Sequence, residues 1–240
     1  MFKAFHALDE LLRGKRVGAE SLGEDLIVDV PLRVFLPLAI GLGATYGFFM
    51  GWFRLSMRWG TGVADGYLQT IASMIKVPML FLLTLAITFP SLYVFSALLG
   101  GRLSFRPLLR LLVGSMVVSL AVAASFGPIL AFFTLSTTSY PFMVMLNVTL
   151  LTVSGVVGVA FLMKAVRKIS VPSDEARTGE ETPSGMLGVW AIIYGAVGVQ
   201  MAWLMRPFIG HPGANFEWFR DRTGNFLVGL FEHLRHLTGG

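Results

Sequence analysis

His233 and His236, with Glu232 beside them, are the residues whose type and spacing come nearest to a reactive constellation. Two imidazoles three apart share a helical face and can clip a divalent metal. The plainer reading is the solvated face of an amphipathic helix. No other arrangement supports catalysis. Serine, histidine and acid do not converge in one motif, and no phosphate loop or paired acids are present. The glycine-rich GLGATYGFFMG at 41–51 lacks the preceding strand and following acid of a dinucleotide fingerprint. All four histidines (His6, His211, His233 and His236) lie outside the apolar segments, so none stands at mid-membrane to hold a haem. There is no cysteine, hence no thiolate and no disulfide. Asn147, Val148 and Thr149 match a glycosylation sequon, but in a span no glycosylation machinery reaches it. The chain is expected to be no enzyme, with no cofactor and no metal.

The elements that carry these residues are apolar. Of 240 residues, 55% are hydrophobic and 14% charged, and the mean hydropathy is +0.71. That is a membrane composition. Between Arg33 and Met163 the only acid is Asp65, and none occurs between Ser184 and Phe216. The net charge of +5 comes from bases that bracket apolar segments rather than form a patch with interleaved aromatics, which argues against nucleic acid. The N-terminus lacks the short apolar core and cleavage site of a signal peptide, so no removal is expected.

The expected fold is all-α: a polytopic membrane protein of five transmembrane helices with amphipathic interfacial helices at both termini. Residues 1–30 form a cytoplasmic arm, 31–206 the bundle and 207–240 an extracytoplasmic tail. The spans fall near 34–53, 77–99, 107–135, 141–163 and 186–205, each close to the roughly 20 residues a bilayer requires. Pro128 predicts a kink in the third, and Pro78 and Pro90 punctuate the second. Bases cluster in the N-terminal arm (Lys3, Arg13, Lys15, Arg16), at Arg102, Arg106 and Arg110, and at Lys164, Arg167 and Lys168. The opposite side receives Arg54, Arg58 and Lys76 in the first connection, and a few arginines in the tail. The N-terminus is therefore placed in the cytoplasm and the C-terminus outside. On these limits no ionisable residue stands at mid-depth in any span.

Gly43, Gly47 and Gly51 recur every fourth residue, at a cost of roughly 1 kcal/mol each in a soluble helix. In lipid, helices associate by close packing, and small residues let backbones approach. Gly195 and Gly198 in span five, and Ser154, Gly155 and Gly158 in span four, offer similar faces. These are read as packing faces within the bundle; a seam with a partner helix and the lining of a substrate path are the alternatives. MFKAFHALDELLRGKR sets Phe2, Phe5, Leu8 and Leu12 on one face of an inner-leaflet helix. Residues 170–185 read as a polar loop. In the tail, Phe226, Leu227, Leu230, Phe231 and Leu234 repeat at helical spacing, and Phe208, Phe216, Trp218 and Phe219 precede them in a Pro- and Gly-spaced stretch. Phe216, Trp218, Phe219, Phe226 and Phe231 are the candidate partner contacts.

The Tyr46, Gly47 pair, and LFLLTLAITFPSLYVFSALLGGRLS running through span two into a basic turn, resemble the Yip-domain superfamily of multi-pass membrane proteins, in its bacterial branch. The similarity covers about residues 5–168 and, more weakly, span five. It implies a five-span protein of a bacterial inner membrane and supplies no catalytic or cofactor residue. Eukaryotic members associate with Rab-type GTPases through an acidic N-terminal region with an Asp-Leu-x-Gly-Pro signature; that signature is absent here, so GTPase binding is not implied. The expected function is a scaffold, assembly factor or accessory subunit, with the bilayer and other membrane subunits or further copies of the chain as partners. A channel or transporter for a neutral or lipidic substrate, and a membrane-shaping or lipid-sensing protein, are the alternatives.

Overall fold

The computed structural model describes residues 6, 8–10, 13, 32–56, 63–98, 105–169, 183–211 and 215–219. Six long helices run through them: α1 Leu32–Ser56, α2 Val63–Leu98, α3 Phe105–Ser125, α4 Gly127–Ser136, α5 Tyr140–Ile169 and α6 Pro183–Leu204. No strand occurs among the described residues. Four stretches are long and apolar enough to cross a membrane: Leu32–Ser56, Ala64–Val94, Leu108–Ser136 and Tyr140–Ala165. The apolar part of α6, Gly188–Leu204, is shorter.

Proline sets the main irregularity. Pro128 has no N–H to donate and sits in the first turn of α4, where none is needed. The helix breaks just before it, at Phe126 (φ −80, ψ −4), whose N–H still reaches the Ala123 carbonyl at 3.0 Å. The expected kink in span three is thus two helices sharing one crossing, Leu108–Ser136. Thr137 ends α4 in extended backbone, and Ser139 Oγ accepts from the Phe142 N–H at 3.4 Å to start α5.

Helix α1 is central, packed on α2, α3 and α4, while α3 packs on α5 and α6 on α2. Phe35, Ala39, Tyr46, Met50 and Phe53 form its buried side. The outer surface is apolar instead: Ile192 is 74% exposed, Leu135 72% and Met145 68%. Large aliphatic side chains spread over the surface in this way suit a lipid solvent.

Span two differs most from expectation. It begins at Val63, not near 77, so Asp65 and Lys76 are helical residues rather than loop residues. Of the N-terminal arm, residues 8–10 are helical, with His6–Glu10 (3.4 Å) and Arg13–Asp9 (2.7 Å) pairs at i,i+4 spacing and Leu8 buried. Phe2, Phe5 and Leu12, the 170–182 loop, and the tail helix with Phe226, Phe231, His233 and His236 lie outside the described residues.

Candidate functional site

The glycine ridge fixes the register of α1 against α2. A Cβ on Gly43 would stand 3.0 Å from Pro78 Cβ, one on Gly47 2.7 Å from the Ser73 carbonyl carbon, and one on Gly51 2.6 Å from Thr70 Cα. Side chains cannot enter at that separation, so the three glycines form a backbone-to-backbone seam with α2. Gly158 of α5 meets Ser115 and Ser119 of α3 in the same way. Gly198 makes only ordinary contact with Thr84, at 3.7 Å, and Gly195 has nothing within 4 Å. Seam and α6 glycines therefore differ in role. Higher in α1, the fully buried Tyr46 hydroxyl lies 3.1 Å from Asn147 Oδ1, and Asn147 in turn donates to the Met143 carbonyl at 2.8 Å.

That register places Lys76 between the levels of Gly47 and Gly43, beside the middle of α1 and roughly 16 Å along the helix from Ser56. Lys76 is 1% exposed. It ends a stripe of polar residues on one face of α2: Asp65, Gln69, Ser73 and Lys76, at spacings of four, four and three. Gln69 and Ser73 are completely buried, whereas Tyr67, Leu68, Ile71 and Ile75 on the other face are about half exposed. The helix is amphipathic with its polar side inward, the reverse of a soluble surface helix.

The segment after α6 covers this stripe. Helix α6 runs antiparallel to α2, with Trp190 Nε1 donating to the Thr88 carbonyl (3.2 Å) and Gly198 beside Thr84, and it ends at Leu204. Non-helical backbone takes over from there. Lys76 Nζ donates to the Pro207 carbonyl at 2.9 Å and to the Trp218 carbonyl, and sits 5.2 Å from the Phe219 ring centre. Gln69 Nε2 donates to the Phe208 and Pro207 carbonyls at 2.6 and 3.3 Å. The Ser73 hydroxyl lies between the carbonyls of Gln69 and Phe208. At the outer end Asp65 Oδ2 pairs with Arg54, which is 4% exposed, at 3.4 Å and accepts the Phe216 N–H at 3.3 Å. Irregular backbone inside a bundle needs such partners, because the bilayer offers none.

Gly210 permits the close approach. Its φ of +73 suits glycine, and a Cβ there would meet Gln69 Oε1 at 2.8 Å and Arg54 Cδ at 2.9 Å. Gln69 Oε1 is buried with no hydrogen-bond partner among the described residues.

Comparison of the chain with protein-family models, with curated proteins and with solved structures found no match. Function therefore rests on the geometry.

Of the expected tail contacts, Phe216 is half-buried and packs edge-on against Trp218 at 5.7 Å, while Trp218 and Phe219 are 46% and 55% exposed. The stripe itself was missed at the level of sequence. The signal was the 65–69–73–76 spacing, hidden because a polar run ahead of a long apolar one resembles a loop. The arrangement brings side-chain donors to backbone carbonyls and adds the Arg54–Asp65 ion pair, and these hold backbone in place.

Proposed function

We propose that this is a non-enzymatic integral membrane protein that acts as a scaffold, assembly factor or accessory subunit of a larger membrane complex. In this reading α6 makes the fifth crossing, the N-terminus is cytoplasmic and the C-terminus lies outside a bacterial inner membrane. The charge asymmetry of the connections supports that orientation. The observation that carries the functional reading is the clamped segment after α6. Its backbone is tied to Gln69, Ser73 and Lys76, while Trp218 and Phe219 are about half exposed. Exposed aromatics on an immobilised backbone lose little entropy on binding and suit a partner contact.

The test is gentle detergent extraction of the tagged protein, with sizing and mass spectrometry of what travels with it. A stoichiometric companion that is lost on substituting Trp218→Ala and Phe219→Ala is the expected result. A solitary protein, or a companion retained by the double variant, would overturn the reading.

One observation favours a channel or transporter for a neutral or lipidic substrate as the second reading. Helix α6 gives way to irregular backbone beside the middle of α1, as the broken helices of transporters do. Liposomes containing the protein that move neither lipid nor small neutral solutes would remove it.

A further inference from the structure

At the end of the bundle remote from Lys76, helices α1, α2 and α3 leave an open-sided crevice of about 370 Å³. Leu36, Leu82, Leu85, Phe89 and Val113 form most of its wall, and Arg33 stands at its edge. Leu85, Phe89 and Val113 are buried side chains of the bundle, whereas Leu36 and Ala86 are exposed at the mouth. Its volume lies within the range of small-ligand sites, roughly 300–1,000 Å³.

On α1, α2 and α3 themselves the charges at this end are basic, Arg33, Arg106 and Arg110, while the acids Asp9 and Glu10 of the N-terminal stretch pair with Arg13 and His6. Arg33 precedes Leu36 by three positions on α1, and Arg106 precedes Leu109, another wall residue, by three on α3. Residues three apart share a helix face. Each arginine is thus one turn beyond a wall residue, towards the start of its helix. Both are exposed, and neither takes part in an ion pair between described residues.

We propose that this crevice binds one acyl chain of an anionic phospholipid, with the lipid phosphate held by Arg33 and Arg106. The apolar wall offers nothing to a free anion, and the two guanidinium groups offer nothing to a neutral lipid beyond what bulk bilayer gives. Only a molecule with both parts uses both surfaces. Basic pockets between helices at the cytoplasmic side recruit acidic headgroups in this manner. Two surface bases favour an acidic over a zwitterionic lipid by roughly ten- to thirty-fold.

The experiment places the full chain in nanodiscs of equimolar phosphatidylglycerol and phosphatidylcholine and identifies the lipid retained on release by native mass spectrometry. The wild type is expected to keep one phosphatidylglycerol, enriched roughly ten- to thirty-fold over phosphatidylcholine. The R33Q/R106Q double variant should keep a lipid with the preference reduced towards unity. Ala86→Phe, which fills the mouth from an exposed position, should lose the retained lipid, and Leu36→Phe provides a second filling variant should the first not fold. Equal retention of the two lipids by the wild type would overturn the proposal. So would unchanged phosphatidylglycerol retention in a folded filling variant, or displacement of the lipid by millimolar inorganic phosphate, which would assign the arginines to a free anion.

Discussion

Replacing Lys76 with methionine separates the hold on the 205–219 segment from the stability of the bundle. Methionine keeps the length and apolar stem but removes the ammonium that serves the Pro207 and Trp218 carbonyls. A hydrogen bond from a charged donor contributes about 1.5–3 kcal/mol net. Against the loss of two such bonds stands relief of the several kcal/mol spent in desolvating an ammonium. For the whole fold these terms nearly offset, so the thermal midpoint in detergent should change little. The segment itself gains nothing from that relief, because beside the middle of α1 the ammonium stays out of bulk water in the docked and the released state alike, and its desolvation cancels between them. Its docking should weaken by about 3–6 kcal/mol, an upper range because the two bonds are not additive, which corresponds to local opening more than roughly 100-fold faster. Hydrogen–deuterium exchange of peptides covering 205–219 reads this directly, with the Phe216 amide, bonded to Asp65, as the reporter. Exchange of that segment unchanged to within about threefold would refute the clamp, because a threefold change is under 1 kcal/mol.

The glycines offer a paired comparison. Gly47→Ala drives a Cβ into the Ser73 backbone and should destabilise by about 1–3 kcal/mol, whereas Gly195→Ala meets open space and should be neutral or slightly stabilising; thermal unfolding of both in one detergent decides. Tyr46→Phe and Asn147→Leu should show a coupling of about 0.6–1.7 kcal/mol in a double-mutant cycle, the range of hydrogen bonds between membrane helices. Asp65→Ala leaves the buried Arg54 without its carboxylate and should cost about 3 kcal/mol, with Asp65→Asn costing less because it still accepts the Phe216 N–H. Urea or thermal unfolding of the two variants ranks them.

Most of the bundle was legible because apolar length is a strong signal. The expected spans at 34–53 and 141–163 fall inside Leu32–Ser56 and Tyr140–Ile169, and Pro128 marked the break between α3 and α4. Three glycines on one ridge suggested close approach without naming the neighbour, and in the structure Gly43, Gly47 and Gly51 lie against α2. What escaped was the first third of α2. A hydropathy window penalises Asp65, Gln69, Ser73 and Lys76 wherever they point. Only a periodicity count shows that they share one face with Ile71 and Ile75 opposite. The docking of residues 205–211 and 215–219 onto that face was not legible at all. It depends on carbonyl oxygens, which every residue carries and no side-chain pattern announces.

The clamp also bears on the choice between scaffold and transporter. Six hydrogen bonds join the segment after α6 to Asp65, Gln69, Ser73 and Lys76. Taking about 1 kcal/mol for each neutral bond and about 2 for each that involves the ammonium or the Asp65 carboxylate, release costs on the order of 9 kcal/mol, an upper figure because such terms are not additive. Even half of that leaves the released state near one molecule in a thousand. A path gated by this segment would stay shut unless a substrate bound the released state more tightly by a comparable amount, since a ligand shifts an equilibrium only by its differential affinity. A scaffold needs no such event, because it works with the segment in place. Exchange measurements on the wild type therefore discriminate before any partner is known. A strongly protected 205–219 segment, indifferent to added neutral solutes or lipid, favours the scaffold; protection that collapses on adding one of them would make the clamp a gate and name its substrate.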